Sequence, residues 1–274
     1  MKDIKLLAFD FDGTLFDSMK QISEENLAFL RYAKSRGVEL VPATGRLYNN
    51  LPDSIKELCR YFILSNGASV YDSAEDRYLY EAPMSLELAL EIYRYGDTLP
   101  CIYDAYLDNW GWMTRSMYEN MDEYFPDKYY IHTMLSKRTP VDDLKTFIRE
   151  KGLPVQKIQF YFTDLDLRSE QITAVSQRFP GKLYVSTSLE SNIEINSSDA
   201  VKGKALAALC AKLNISLEQV AAIGDGTNDL SMIEQAGTGI CMCNGAEACK
   251  EAADLISEYD NNHSGFARVL ADFI

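Results

Sequence analysis

Asp10 and Asp12 close a short apolar run near the start of the chain, and a Gly-Thr pair follows them. The run, residues 6–9, has the length and composition of a buried strand. Two carboxylates at the end of a buried strand are costly unless positive charge lies between them. A Gly-Thr turn leaves backbone N–H groups that can bind an anion. The pattern therefore indicates a site for a divalent cation and a phosphate group, and an Asp-rich turn after an edge strand is the simpler alternative.

Polar groups of the same kind follow three further predicted strands, at residues 38–41, 61–64 and 220–223. They are Thr44-Gly45-Arg46, Asn66-Gly67, and Asp225 with Asn228-Asp229. In open parallel sheets the ligand crevice lies outside the carboxyl ends of the strands. Side chains far apart in the sequence would therefore meet at one edge of the sheet. Four such groups are harder to explain by chance than a single turn, so this pattern predicts an enzyme.

The residue types in these groups fit phosphoryl transfer. Asp10 and Asp225 offer the hard oxygen ligands that Mg2+ takes together with waters and phosphate oxygens. An aspartate can attack phosphorus and form an aspartyl-phosphate, and a second acid nearby can protonate the leaving group and later activate water. Thr44 can hold a phosphoryl oxygen, and a nearby lysine would stabilise the charge on it.

Two kinds of pattern divide the chain. Residues 1–83 and 189–274 alternate short strands with helices, which is typical of a parallel α/β sheet. One of these helices is predicted at 23–36, with Ser23 as its N-cap. Residues 84–188 are rich in tyrosine and mix predicted strands with predicted helices, which predicts an α+β domain inserted into the first. Hinges are expected near Ala82-Pro83 and Ser188–Asn192, where they would let the inserted domain close over the site.

Composition excludes several classes of protein. The 274 residues carry a formal net charge of −14, which disfavours a surface that binds nucleic acid or an anionic membrane. No apolar run approaches the roughly 18 residues of a membrane span, and the N-terminal run is too short and too acidic for a signal peptide. The six scattered cysteines contain no Cys-x-x-Cys pair, so reduced core thiols and a cytoplasmic location are expected.

Four segments resemble the motifs of the haloacid dehalogenase-like hydrolases, in the form found in the Cof-type subgroup of sugar and small-metabolite phosphatases. They are Asp10-Phe11-Asp12-Gly13-Thr14, Ala43-Thr44-Gly45-Arg46, Val201-Lys202-Gly203-Lys204-Ala205-Leu206 and Gly224-Asp225-Gly226-Thr227-Asn228-Asp229. The resemblance covers about residues 1–82 and 190–274, and the middle matches by position and length. It implies a Rossmann-like parallel-sheet core with a type C2 cap inserted between the second and third motifs.

The resemblance also implies Mg2+-dependent phosphoryl transfer with a role for each motif residue. Asp10 would be the nucleophile, and Asp12 would be the general acid/base that also lends its backbone carbonyl to Mg2+. The other implied roles are phosphoryl binding by Thr44, charge compensation by Lys202, metal binding by Asp225 with Asp229 in or beside the metal shell, and orientation of Lys202 or the phosphoryl group by Asn228. Gly45, Arg46, Asn66 and Asn244 are candidates for substrate binding at the rim. Lys204 is the alternative to Lys202 as the motif lysine.

The expected function is a phosphatase that hydrolyses a small phosphorylated metabolite such as a sugar phosphate, acting as a monomer or weak homodimer without a nucleic-acid or membrane partner. A sugar phosphomutase is the alternative within the enzymes, and a non-catalytic phosphometabolite-binding protein is a second. A dehalogenase is disfavoured because those enzymes lack the acid at the position of Asp12. Trp110, Trp112 and Arg115 are candidates for contacts with the leaving group.

Overall fold

The computed structural model describes residues 3–125, 131, 134–271 and 273, which divide into two compact units. The first, here called the core unit, comprises Met1–Arg46, Leu51–Glu81 and Val201–Ile274. The second, the inserted unit, comprises Leu47–Asn50 and Ala82–Ala200. The pair Tyr129-Tyr130, which the sequence predicts to lie in the core of the inserted domain, and His132, which it predicts to be non-catalytic, lie outside the described residues.

The strands, in chain order, are β1 (Leu6–Phe9), β2 (Glu39–Pro42), β3 (Tyr61–Leu64), β4 (Ser69–Asp72), β5 (Arg77–Glu81), β6 (Cys101–Leu107), β7 (Trp110–Thr114), β8 (Arg138–Val141), β9 (Lys157–Phe162), β10 (Leu183–Ser186), β11 (Asn192–Ser197), β12 (Val220–Gly224), β13 (Thr238–Cys241) and β14 (Leu255–Ile256). The helices described are α1 (Glu24–Ser35), α2 (Asp53–Leu58), α3 (Leu86–Gly96), α4 (Arg115–Glu119), α5 (Leu144–Lys151), α6 (Leu165–Arg178), α7 (Lys202–Leu213), α8 (Leu230–Gln235), α9 (Glu247–Ala252) and α10 (Gly265–Leu270).

The core unit is built on a five-stranded parallel sheet in the order β14-β13-β12-β1-β2. β1, an interior strand between β12 and β2, reads Leu-Leu-Ala-Phe and is fully buried. A strand covered on both faces needs such a continuous apolar run, which is why the first segment of the chain can occupy an interior position in the sheet. The structure confirms the parallel α/β core that the alternation of strands and helices predicts.

The next strand, β3, continues this sheet only through its end. Ala43 and Ile63 form a single parallel bridge, and the backbone N–H of Thr44 donates to the Ile63 carbonyl at 2.9 Å. β3 otherwise pairs antiparallel with β4, which pairs with β5. The hairpin of β4 and β5 was not predicted. Its alternation is weak, since β4 is buried throughout and β5 is half-exposed.

The inserted unit contains a six-stranded sheet in the order β10-β11-β9-β6-β7-β8, antiparallel except for β7 beside β8. One cluster of buried apolar side chains from this sheet and its helices includes Tyr93, Phe160 and Ile195. The predicted α+β insertion is therefore present.

The later boundary of the inserted unit differs from the expected one. The sequence pattern predicts that the insertion ends at residue 188, but β11 pairs with both β9 and β10, and the chain leaves the unit after Ala200. Ser188–Asn192 accordingly lies inside the inserted unit, so it does not form the second connection. The chain passes between the units at Glu81–Ala82 and Ala200–Val201, and also enters and leaves the inserted unit at the short segment Leu47–Asn50.

Local signals agree with the structure where they are short-range. The hydroxyl of Ser23 accepts a hydrogen bond from the Asn26 backbone N–H and caps α1 as predicted. The six cysteines are all unpaired, and five of them are buried. No helix among the residues that the structure describes has both the length and the apolar character needed to cross a membrane.

Candidate active site

The sheet brings the predicted site residues together because neighbouring strands end at the same level. Phe9 at the end of β1 pairs with Ile223 of β12 on one side and with Pro42 of β2 on the other. Asp10 follows Phe9, and its backbone N–H donates to the Ile223 carbonyl at 3.0 Å. The loops after β1, β2 and β12 therefore leave the sheet side by side.

Lys202 lies at the centre of this group. It is the first residue of α7 and is fully buried, and its Nζ lies 2.6 Å from Asp10 Oδ1 and 2.6 Å from Asp229 Oδ1. Burial would lower the pKa of the ammonium group, but the two carboxylates outweigh it and raise that pKa above its usual value. Lys204, two residues further along the helix, is exposed. The structure thus brings Lys202, and not Lys204, to Asp10.

Asp229 ties this lysine to the loop that follows β12. Its Oδ2 accepts hydrogen bonds from the backbone N–H groups of Asp225 at 3.0 Å and Gly226 at 2.9 Å, while its Oδ1 contacts Lys202. A Cβ atom on Gly224 would lie 2.4 Å from Asp229 Cγ, so only glycine fits there. Both oxygens of Asp229 are engaged by the protein, which makes it an orienting group beside the other two acids.

Asp10, Asp225 and Asp229 place carboxylate oxygens within 4.8 Å of one another. Burial raises the pKa of Asp10 well above its usual value, with Lys202 opposing and Asp229 and Asp225 adding to the rise. Burial and Asp229 raise the pKa of Asp225 to about 6, against a 2.8 Å hydrogen bond from the Thr14 hydroxyl. Crowded acids with raised pKa values are stabilised by a cation, and an all-oxygen donor set suits Mg2+. The residues present therefore fit a divalent metal.

Asp12 has a different environment. Its side chain is 39% exposed, and Arg46 donates to both of its oxygens, from Nε at 2.9 Å and from the guanidinium NH2 group at 2.8 Å. Lys20 Nζ adds a third contact at 2.7 Å. Burial acts to raise the pKa of Asp12, but Arg46 and Lys20 outweigh it and lower that pKa to about 2. The sequence does not indicate a role for Lys20, because a single lysine in a turn after the motif gives no pattern.

The remaining predicted residues surround these two groups of charges. Thr44 is buried, and its hydroxyl oxygen accepts from the Arg46 backbone N–H at 3.2 Å, across Gly45. The Asn228 side-chain amide donates to Asn66 Oδ1 at 3.3 Å. Asn228 is predicted to orient Lys202 or the phosphoryl group; Lys202 is held by the two acids described above, and orientation of the phosphoryl group stays a prediction. Asn228 thus connects two loops of the site.

Asn244 supports the turn of the first motif. Its side-chain amide donates to the Gly13 carbonyl at 2.8 Å, and its side-chain oxygen accepts from the Asn261 backbone N–H. Gly13 has φ +82°, and a Cβ atom there would lie 2.3 Å from Asp225 Oδ2. The glycine of the Asp-x-Asp-Gly pattern is therefore required for close approach of the Asp225 carboxylate.

The three leaving-group candidates of the inserted unit all have partners within that unit. Trp110 donates to the Thr139 hydroxyl at 2.8 Å, and Arg115 forms an exposed ion pair with Asp142 at 3.4 Å. Trp112 packs on Phe147 with ring centroids 4.5 Å apart. These contacts give the three side chains structural roles, and a contact with substrate stays a prediction.

A sequence model of the haloacid dehalogenase-like hydrolases matches residues 7–270. The chain belongs to this family. A 5-amino-6-(5-phospho-D-ribitylamino)uracil phosphatase of Bacillus subtilis is 29% identical over 276 residues, which cover 99% of this chain and 96% of that protein. Phosphatase YwpJ of the same organism is 29% identical over 283 residues, covering 95% of this chain and 96% of its own.

Solved structures of the family have the same fold. A haloacid dehalogenase-like hydrolase from Bacteroides thetaiotaomicron superposes with a TM-score of 0.83 at 27% identity, covering 99% of this chain and all 100% of that one. A Bacillus subtilis member gives a TM-score of 0.84 at 27% identity over the same shares. The family and the fold that the four motifs indicate are thus confirmed, and the protein is a phosphoric monoester hydrolase.

Proposed function

We propose that this hydrolase is a Mg2+-dependent phosphatase that cleaves small phosphate monoesters through an aspartyl-phosphate on Asp10. The observation that carries the proposal is the buried contact of Asp10 Oδ1 with Lys202 Nζ at 2.6 Å. It holds one carboxylate in a fixed orientation at the end of β1, beside a permanent positive charge. A carboxylate held this way is suited to attack phosphorus, because its geometry is set before the substrate arrives.

The proposed reaction has two displacements at phosphorus. In the first, an Asp10 oxygen forms a bond to phosphorus, the bond to the ester oxygen breaks, and Asp12 gives its proton to the leaving alcohol. In the second, water attacks the aspartyl-phosphate, Asp12 takes a proton from that water, and inorganic phosphate leaves with Asp10 restored. In both steps Lys202 offsets the negative charge on the phosphoryl oxygens, and Thr44 binds one of these oxygens.

Asp12 must gain a proton before it can act as an acid. In the free protein its pKa of about 2 keeps the group ionised at neutral pH. A phosphate dianion adds negative charge beside Asp12 and competes for Arg46 and Lys20, and both effects raise the pKa of Asp12. The half-exposed position of this ion pair supports the exchange, since exposed ion pairs are weak.

Asp10 and Asp225 are the residues proposed to hold Mg2+, with the Asp12 carbonyl as the resemblance implies and Asp229 beside them. Bound Mg2+ would supply a Lewis acid that neutralises the acids and the phosphate together. The raised pKa values of Asp10 and Asp225 support this assignment, because burial, together with the neighbouring acids, disfavours their charged forms and a bound cation would stabilise them.

The substrate class is a small phosphorylated metabolite. The Bacillus subtilis relative named for a phosphoribitylaminouracil substrate supports this class. We propose that the inserted unit selects the leaving group, since the described catalytic side chains all belong to the core unit. The absence of nucleic-acid and membrane partners, the monomeric or weakly dimeric state and the cytoplasmic location stay predictions, which the net charge of −14 supports only for the partners.

Phosphate release from a panel of small phosphate esters, with Mg2+ or with a chelator, tests the proposal. Asp10→Asn should lower kcat by about 10,000-fold or more on every ester, since the nucleophile is lost. Asp3→Asn is the control: it removes one exposed acid at the opposite end of β1 and should leave kcat unchanged. Phosphate release that survives in Asp10→Asn would refute the assignment of Asp10 as the nucleophile. Isomerisation of a sugar phosphate without net release would favour the phosphomutase.

A further inference from the structure

The turn after β3 has an unusual backbone. Ser65, Asn66 and Gly67 are consecutive and have φ values of 50°, 62° and 95°, and all three are buried. Non-glycine residues seldom adopt this left-handed conformation, and two occur here in succession. Strain of this kind persists only where the surroundings determine the conformation, and it concentrates at functional sites.

The first partner of this segment, here called the 65–67 turn, is the loop after β2. The backbone N–H of Asn66 donates to the Thr44 carbonyl at 2.9 Å, and the backbone N–H of Ser65 donates to the Arg46 carbonyl at 3.1 Å. The turn therefore fixes the backbone that carries Thr44, the residue proposed to bind the phosphoryl group.

Its second partner is the start of α7. A Cβ atom on Gly67 would lie 2.4 Å from the Val201 carbonyl carbon and 2.7 Å from the Lys202 backbone nitrogen. Atoms at such distances cannot coexist, so the glycine backbone of the turn packs directly on the residue that carries the site lysine. Asn66 Oδ1 supplies a third connection, to Asn228 in the loop after β12.

We propose that the 65–67 turn is a positioning element that sets the Lys202 ammonium group against Asp10, with Gly67 as its main positioning residue. The turn contacts the loops of the second, third and fourth motifs at once, which explains why its strained backbone is kept. In this account Asn66 acts on other loops, whereas the sequence analysis gave it a role in substrate binding. The inference rests on the proposed function, since it matters only if Lys202 acts on the phosphoryl group.

Two glycines of the core unit give a matched test. Gly37 has φ +83°, close to that of Gly67, but a Cβ atom added to it meets nothing within 4 Å. Alanine at either position imposes the same kind of backbone strain, and only Gly67→Ala pushes on Lys202. We expect Gly67→Ala to lower kcat about 10- to 100-fold with little change in KM, because small displacements of a charged group carry such costs. Gly37→Ala should lower the melting temperature and leave kcat unchanged.

A double-mutant cycle separates positioning from general damage. If Gly67 acts through Lys202, Gly67→Ala should cost almost nothing further in kcat when Lys202 is already replaced by Met. Multiplicative losses, or equal kcat for Gly67→Ala and Gly37→Ala, would overturn the inference. If Lys202→Met itself leaves kcat unchanged, the proposed function fails first.

Asn66→Gly provides a variant that keeps the fold, because glycine adopts this conformation without steric cost. It removes the bond to Asn228 and should lower kcat severalfold. A rise in KM with unchanged kcat would instead assign Asn66 to substrate binding and contradict its positioning role.

Discussion

Asp10 is almost fully buried and shares its lysine partner with a second buried acid, whereas Asp12, two residues later, lies half-exposed between an arginine and a lysine. Burial raises the pKa of Asp10 well above its usual value. For Asp12, Arg46 and Lys20 outweigh the effect of burial and lower the pKa to about 2. One short motif therefore holds two acids in opposite electrostatic environments.

The contrast indicates which partners can change during a reaction. Breaking the buried contact of Lys202 with Asp10 would leave an uncompensated charge in the interior, which is strongly unfavourable. The contacts of Asp12 with Arg46 and Lys20 face water, where an incoming anion can replace the carboxylate. A fixed carboxylate is suited to be a nucleophile, and an exchangeable one is suited to carry a proton.

Replacement of Asp12 should give the largest effect that separates the roles of the two acids, and its size should depend on the leaving group. Asp12→Asn removes the proton donor, so kcat/KM for an alkyl phosphate should fall by about 100- to 10,000-fold. With 4-nitrophenyl phosphate, whose leaving group needs no proton, the first displacement should be much less affected. Asp10→Asn is the comparison variant, and its kcat/KM should fall equally for both substrates. Equal losses of the two substrates in Asp12→Asn would contradict its role as an acid.

Removal of the buried lysine should come next in size. Lys202→Met should lower kcat by about 100- to 1,000-fold, because charge on the phosphoryl oxygens loses its fixed counter-charge. Lys204→Met changes an exposed lysine of the same helix and serves as the matched control, with unchanged kcat expected. Steady-state kinetics of both variants checks the assignment, and the reverse order of effects would make Lys204 the motif lysine.

The exposed contact of Asp12 should show a small, salt-dependent effect. Lys20→Met should change kcat/KM by only about two- to fivefold, in keeping with exposed ion pairs, and the change should shrink as ionic strength rises. Lys5→Met removes the same charge from an exposed pair with Asp3 and is the control. A loss as large as that of Lys202→Met would mean that Asp12 is not exchangeable.

The ion pair of Arg60 with Asp72 lies outside the proposed active site and serves as a reference for the contact of Arg46 with Asp12. Arg60 donates to both oxygens of the buried Asp72 at 2.9 Å, and these hydrogen bonds lower the pKa of Asp72. A lowered pKa stabilises the fold above the unfolded value of about 4, and this stabilisation is lost as the pH falls below it. Asp72→Asn should therefore lower the free energy of unfolding at pH 7, with the difference from the original protein shrinking in acid and kcat unchanged. A pH-independent difference would argue against the ion pair.

The sequence predicts the parts of this site that depend on short-range pattern. Apolar runs followed by acids, Thr44 or Asn66 locate the strand ends, and the topology of a parallel sheet then requires those ends to meet. The choice of Lys202 over Lys204 came from the family pattern, because both lysines flank the same glycine. The burial of one lysine and exposure of the other follow from the helix face that each occupies.

Long-range pairing explains what the sequence does not predict. The alternation of apolar and polar residues around Ile193 and Ile195 is typical of a strand. The local sequence does not predict that this strand, β11, pairs with β9 in the inserted unit. Lys20, which has φ 60° in the turn after the first motif, contacts Asp12 through its Nζ. The sequence around a single lysine does not predict such a contact. The strain in the 65–67 turn is likewise set by partners distant in the sequence.

The most direct test of the contrast between the two acids is rapid-quench kinetics of Asp12→Asn with 4-nitrophenyl phosphate, followed by borohydride reduction. An acyl phosphate of aspartate is reduced to homoserine, which peptide mass spectrometry locates. Because the first displacement needs no acid here and the second lacks its base, we predict a stoichiometric burst of 4-nitrophenolate and homoserine at position 10. Linear release from the first turnover without homoserine, or a burst with homoserine at an aspartate position other than 10, would contradict the account.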